Sequence, residues 1–336
     1  MKSVLMCITA ALVLLCAPAR AQVTLATSLF VPPTHPIHRG VAKWCGEVAE
    51  ATARRVTCNI LPKPAAAPAA QFDAVRDGLA DLAFGIHGYT PGRFKLTELA
   101  ELPFLGDSAE ATSVAYQRMY ERHLARLGEH KGVRVVAVFT HGPGEIFSTK
   151  KTVASVADFA GQKFRVGGGM VNDVARAMGA NVILKPANES YELVSTGVVD
   201  GVFFPVESIF AHRIDGFIKY RTRFPGGLYN TSFFFVMNED AWRRIAPADR
   251  RAIERLSGEH AARIIGKEWD ATDDKADAML KERGLPTTVA NPAFVADVKA
   301  RTASLEGKWV EEAKAKGLAN AAEVVREFRA EIAKSH

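Results

Sequence analysis

The stretch GQKFRVGGG, Gly161 to Gly169, reads as a short strand ending in an arginine, three consecutive glycines, and then the start of a helix. A strand that feeds a helix through a glycine turn is half of a βα unit, and the sequence on its C-terminal side repeats the rhythm. Lys163 to Val166 is a strand, Gly169 to Met178 a helix, Asn181 to Leu184 a strand, Glu189 to Thr196 a helix and Gly201 to Phe204 a strand. Strands alternating with helices predict a largely parallel sheet covered on both faces. The arginine matters as chemistry. A guanidinium is always charged and offers a planar fork of donors that meets both oxygens of a carboxylate, whereas lysine supplies charge without that geometry. The glycines of 167 to 169 would let backbone amides approach an anion at the helix N-terminus, or simply form a flexible turn.

Towards the N-terminus the same alternation occurs once more. Val23 to Ser28, Arg55 to Leu61, Asp81 to Ile86 and Val133 to Thr140 read as strands. Helices are expected to about Ala53, over Gln71 to Leu79 with Phe72, Val75 and Leu79 at helical spacing, and over Ala109 to His130. Ile218 to Arg223 and Thr231 to Val236 look like strands that return the chain to the first unit. From Pro247 the texture becomes helical. Proline is favourable in a first helical turn, and none recurs until Pro286, so one helix over about Ala248 to Arg283 is expected. At 1.5 Å per residue it would run roughly 50 Å and brace both units. Asn291 to Lys334 is read as further helix. In open α/β sheets ligands sit beyond the carboxyl ends of the strands, and with two such units the default site is the cleft between them. The loops after Ser28, Ile86, Thr140, Val166 and Phe204 would surround it.

The chain's beginning has the form of an export signal: Lys2, the apolar run Val4 to Cys16, and small residues at Ala19-Arg20-Ala21, which places cleavage near Ala21. The run is shorter than the ~20 residues a bilayer span needs, and bulky Leu15 before Cys16 argues against a lipid anchor. About 315 residues would remain, enough for two ordinary domains. Hydrophobic content of 48% and charged content of 24% are globular values. Net charge is +6, about +4 without Lys2 and Arg20, and interspersed with acids rather than striped, so no nucleic-acid surface is expected. Cys7 and Cys16 fall in the signal; Cys45 and Cys58 remain, and in an oxidising compartment a disulfide is expected. The alternative, a metal site from His35, His38, Cys45 and Cys58, fits no zinc spacing. No metal and no cofactor are expected.

Five segments in order resemble the solute-binding proteins of tripartite ATP-independent periplasmic (TRAP) transporters, the DctP-like family. They are VRDGLADLAFG (Val75 to Gly85), the RF…LPFL stretch (Arg93 to Leu105), DFAGQKFRV (Asp158 to Val166), LVSTGVVDGVFFP (Leu193 to Pro205) and VMNEDAWRRIAPADR (Val236 to Arg250). The resemblance implies an α/β fold of the two-domain periplasmic binding protein type (type II-like), with mixed sheets flanked by helices and a long helix spanning both domains. Domain I is expected over 22–142 plus about 232–270, and domain II over 143–231 plus about 271–336. It implies a periplasmic receptor, expected to be monomeric, that closes on a small organic acid and delivers it to the membrane permease subunits of the transporter. The family's G-x-K-x-R arginine falls on Arg165.

Two departures bear on the ligand. The sialic-acid-binding branch has a second arginine about twenty residues before the first; here that place is near Glu145. That branch has an asparagine before the proline of the V-D-G segment; here Phe204 stands there, after Phe203. Two rings in place of polar groups favour a monocarboxylate with an apolar or aromatic body, although strand neighbours face opposite ways, so one of the two should point into the core. Further lining candidates are Phe30, His87 and Tyr89 after strands, Gly168 in the glycine turn, Asn230 opening a return strand, Glu145, and Glu207, which could instead complement a helix N-terminus. Enzyme readings are weaker. Gly142-Pro-Gly144 begins like a dinucleotide fingerprint but Phe147 replaces the third glycine, and no G-x-S-x-G elbow of a secreted hydrolase occurs.

Overall fold

A computed structural model describes residues 22–334; the export signal expected at 1–21 lies outside the described residues. The strands are β1 (Val23–Ser28), β2 (Val56–Ile60), β3 (Leu82–Ile86), β4 (Val133–Thr140), β5 (Glu145–Ser148), β6 (Lys163–Val166), β7 (Asn181–Leu184), β8 (Gly201–Phe204), β9 (Tyr220–Arg223), β10 (Ser232–Asn238) and β11 (Thr287–Val289). They form two mixed sheets flanked by helices. The first has the order β2-β1-β3-β10-β4 and the second β11-β9-β5-β8-β6-β7. In the first, β1 runs parallel to β2 and β3, while β10 comes back antiparallel between β3 and β4. In the second, β6 runs parallel to β7 and β8, and β5 lies antiparallel to β8 and β9. The chain therefore crosses from the first sheet to the second between Thr140 and Glu145 and returns between Arg223 and Ser232.

The apolar faces explain the layers. Leu25, Leu82, Phe84, Phe139, Phe235 and Met237 pack with Val41, Trp44 and Val48 of the helix Pro36–Ala51 and with Ile265 and Trp269. Phe164, Val166 and Phe203 pack with Met170 and Val174 of the helix Met170–Ala177 and with Val298, Trp309 and Phe328 from the C-terminal helices. Cys45, on the helix Pro36–Ala51, is bonded to Cys58 on β2.

Several elements differ from the sequence expectation, among them the unexpected strand β11 and the helix expected over Gln71 to Leu79, which ends at Arg76. The expected single helix over 248–283 is two, Pro247–Leu256 and Glu259–Glu282. Gly258 takes a left-handed φ of 62° and its amide donates to the Val136 carbonyl of β4 at 2.7 Å, so the break pins the turn to the first sheet. The second helix still spans both halves: Ala261, Ala262 and Trp269 lie in the first sheet's core, Ala276 and Leu280 in a cluster of the second. The helix from Ala109 ends at Met119 and relaxes through a wider turn over Tyr120–Leu124. β5, following Gly142-Pro-Gly144, was not anticipated; four residues between turns carry too little periodicity to read. The tail is helical as expected, in two pieces, Pro292–Ala315 and Ala321–Ala333. The second leans on the helix Ala109–Met119 through Tyr116 and Phe328 and the Arg118–Glu331 ion pair, so the last segment contacts more than the second sheet.

Candidate functional site

Register on the second sheet sets the site. Arg165 of β6 pairs with Val202 of β8, and side chains two apart on a strand share a face, so Phe204 lies on Arg165's side. The guanidinium carbon sits 4.5 Å from the centre of the Phe204 ring, a cation–π contact. Arg165 Nε donates to the Lys185 carbonyl at 2.8 Å, and Nη2 lies 3.4 Å from the Tyr89 hydroxyl, which itself accepts from the Ala187 amide at 2.8 Å. The residue is only 2% exposed. Among the described residues no carboxylate lies within ion-pair distance of it. A buried guanidinium held by one carbonyl, a phenol and a ring has its charge oriented but not neutralised. Buried charges are ordinarily paired, so this one is set to receive an anion.

The space in front of it is a tight cavity of about 50 Å3 that opens to solvent, and it lies where the sheets and the crossing segments meet. Its wall is mostly rings. Phe30 stacks on Phe84 at 4.3 Å and approaches Tyr89 at 6.5 Å; Phe203 lies 6.1 Å from Tyr229; Phe233 and Trp269 are 5.3 Å apart. His35, His141 and His212 are also in the wall. His35 and His141 are buried and His212 half-buried, and all three are held towards the neutral form: burial holds His35 well below the usual imidazole value and pushes His141 down to about 4, and burial followed by the nearby Arg165 charge pushes His212 down to about 4. One fixed positive charge among rings and neutral imidazoles can bind a small anion with a flat apolar body.

The sequence candidates separate into two groups. Arg165, Phe204, Phe203, Phe30 and Tyr89 all line this cavity. Phe203, on the opposite face of β8 from Phe204, also packs against Phe164 and Phe159 in the core. Five others point elsewhere. Glu145 of β5 is bound by Arg221 of the neighbouring β9, bidentately, with the Nη2–Oε1 contact at 2.7 Å, and Arg223 stands 3.4 Å away. The carboxylate read as a ligand acceptor neutralises buried Arg221 instead. His87 lies behind the cavity, bonded to His130 at 2.8 Å and Ser232 at 3.1 Å and packed on Phe94. Gly168 belongs to a contact with Gly88 rather than to an anion cradle, and the amide of Met170 that opens the helix is already taken by the Glu101 carboxylate at 2.8 Å. Asn230 uses its amide to hold the crossing segment, donating to the His141 and Gly142 carbonyls at 2.8 and 3.0 Å. Glu207 is buried beside Asp273, where burial raises its pKa; it precedes the short helix Ser208–Ala211 without making a side-chain cap bond to it, and its Oε1 accepts from the Ser208 hydroxyl at 2.8 Å.

His35, His141, His212, Tyr229 and Trp269 escaped the sequence reading of the site. His141 directly follows β4, one of the strands whose carboxyl ends were expected at the cleft, and was legible by that rule. His212 lies in the turn after the short helix Ser208–Ala211, and Trp269 on the helix Glu259–Glu282; neither directly follows a strand and neither carries a local signal.

Two sheets joined by paired crossing segments, with a cationic cavity where they meet, define a solute-binding protein of the hinged type. The chain belongs to the bacterial extracellular solute-binding protein family 7, DctP, whose model matches residues 27–312. A TRAP periplasmic solute-binding protein from Bordetella bronchiseptica with bound (R)- and (S)-mandelate is 45% identical, at a TM-score of 0.91 over 94% of this chain and 100% of that one. A marine-metagenome TRAP solute-binding protein specific for aromatic acid ligands, in complex with 3-hydroxybenzoate, is 30% identical, at a TM-score of 0.87 over 94% and 99%. One from Rhodoferax ferrireducens with copurified benzoate is 27% identical, at a TM-score of 0.86 over 93% and 98%.

Proposed function

We propose that this protein is the periplasmic receptor of a TRAP transporter for an aromatic monocarboxylate. Arg165 takes the carboxylate, the rings of Phe30, Phe203 and Phe204 hold the body, and the closed complex passes the acid unchanged to the membrane permease subunits. It acts as a monomer after export, without a cofactor and without chemistry of its own. The observation that carries this reading is the buried Arg165 guanidinium, aimed into a ring-lined cavity with no carboxylate partner among the described residues. The aromatic acids held by the relatives described above agree with the character of the wall. Closure is stabilised by ligand contacts to both halves, as differential binding to the closed state requires.

Titration calorimetry with benzoate, mandelate and succinate tests it. The aromatic acids bind and succinate binds far more weakly, because a second carboxylate finds no second cation. Arg165→Ala weakens the aromatic acids by at least about 30-fold, the equivalent of the ~2 kcal/mol lower bound for truncating one partner of a buried charge pair. Chromatography of the incubated acid recovers it unaltered. Unchanged affinity in Arg165→Ala, or a modified acid, contradicts the proposal.

A further inference from the structure

The carboxylate pairing leaves the three imidazoles of the cavity unused, and in two of them, His35 and His141, hydrogen bonds fix the tautomers in opposite senses. His35 caps the helix Pro36–Ala51, its Nδ1 accepting from the Ile37 amide at 3.2 Å. A nitrogen that accepts carries no proton, and in a neutral ring the proton is then on Nε2. His141 does the reverse. Its Nδ1 faces the Gly142 carbonyl, which can only accept, so Nδ1 carries the proton and Nε2 is a bare lone pair. Both residues line the cavity and are 4% and 3% exposed. Neither Nε2 makes a hydrogen bond among the described residues. The two rings flank one indole: His35 meets Trp269 edge-on at 5.3 Å and His141 meets it at 5.9 Å. The cavity thus offers one N–H and one lone pair, both without protein partners, around a common surface.

Neither imidazole is hydrogen-bonded to Arg165 among the described residues. His212 stacks on Phe204, the ring beneath Arg165, at 5.4 Å, and His35 lies 6.4 Å from His212. A carboxylate held by Arg165 therefore leaves the imidazole pair facing the ligand's body.

We infer that His35 and His141 form a hydroxyl-reading subsite, so that the preferred ligand is a hydroxylated aromatic acid. A hydroxyl is the small group that both accepts and donates, which matches the His35 N–H and the His141 lone pair together. A keto oxygen or second carboxylate only accepts and would face the lone pair; an ammonium only donates. An unsubstituted ring leaves both nitrogens unpaired away from water, the situation in which a binding site discriminates most strongly against an analogue lacking one polar group. This inference rests on the carboxylate reading of Arg165.

The test compares acids that differ by one hydroxyl: benzoate with 3- and 4-hydroxybenzoate, and phenylacetate with mandelate, titrated into the full mature protein. At least one hydroxylated acid binds about tenfold or more tighter than its parent. His141→Phe removes the lone pair. His35→Asn removes the cavity N–H while keeping an acceptor for the Ile37 amide. Each variant brings the hydroxyl-to-parent affinity ratio to within about threefold of unity. Parents that bind wild type as tightly as every hydroxylated partner overturn the inference and leave the carboxylate reading standing, as does a ratio that survives both substitutions. Failure of parents and hydroxylated acids alike to bind wild type overturns the carboxylate reading, and this inference falls with it.

Discussion

At position 165 the guanidinium meets a carbonyl, a phenol and the face of a phenyl ring, and it is 2% exposed. Burying a charge without a counter-ion costs several kcal/mol even after relaxation, so under the proposed function the unliganded protein carries a destabilising group that a bound carboxylate would relieve. Arg165→Met keeps the volume and removes the charge. Its melting temperature without ligand is expected to equal or exceed that of wild type, while the stabilisation by benzoate disappears. Scanning calorimetry with and without benzoate measures both; an arginine whose role is structural would instead give a lower melting temperature in the variant. Arg165 was legible because the resemblance to the family puts the G-x-K-x-R arginine there; a cationic fork at a strand end before three glycines could as well have been a structural ion-pair partner. Glu145 was not. Its partner Arg221 is 76 residues away in the chain, and only the pairing of β5 with β9 brings them together. No local pattern distinguishes a carboxylate that awaits a ligand from one already bound by an arginine on the next strand.

At the scale of elements, the glycine turn after β6 has a role different from the one its composition offers. A Cβ on Gly88 would lie 2.7 Å from the Gly169 nitrogen and 2.8 Å from the Gly168 carbonyl carbon. Backbone meets backbone there, between the loop after β3 and the loop after β6, which belong to different sheets. Gly88→Ala should hold the two halves apart. The variant is expected to fold with an unchanged melting temperature, to bind benzoate more weakly, and to show no ligand-induced decrease in radius of gyration by small-angle scattering. The bridge from Cys45 to Cys58 closes a separation of 13 residues between a helix and the edge strand β2. In the chain-entropy picture a loop of this size is worth about 3 kcal/mol. Reduction, or replacement of both cysteines by serine, should lower unfolding stability by that order in denaturant titrations and leave benzoate affinity as it was. The long helices were read correctly in kind and wrongly in extent. Breaks at Gly258 and after Ala315 follow from where the chain must meet β4 and turn, which are tertiary demands, whereas the alternating β and α segments around Lys163 to Phe204 follow from local periodicity.

For the whole molecule, the buried titratable groups act in opposing directions. Burial, reinforced by Glu101, pushes Glu98 up to about 7, and burial pushes Glu207 up to about 8. The fold therefore keeps protons that the unfolded chain releases above about 4.5, and the resulting stability is lost as pH rises through about 7 and about 8. His130, His141 and His212 are pushed by burial to about 3, 4 and 4, so below about 6.5 the unfolded chain gains protons that the fold refuses, and stability is lost as pH falls. The two acids partly offset the three histidines on that side. Thermal stability should peak near pH 6 to 6.5 and fall on both sides, with Glu207→Gln flattening the alkaline limb; melting curves from pH 4.5 to 9 check this. At this scale the paired α/β units and the cleft between them were legible from strand order and the five family segments. The wall of the cavity was not, because His212 and Trp269 reach it only after the long helix and the segment beyond β8 have packed.

Arg165 is proposed to bind the carboxylate of an aromatic acid, and a crystal structure of the protein grown with benzoate decides the matter. The two carboxylate oxygens are expected within about 3 Å of the Arg165 guanidinium and the ring among Phe30, Phe203 and Phe204. A benzoate whose carboxylate is bound elsewhere, with Arg165 still held only by the Lys185 carbonyl and Tyr89, would contradict it.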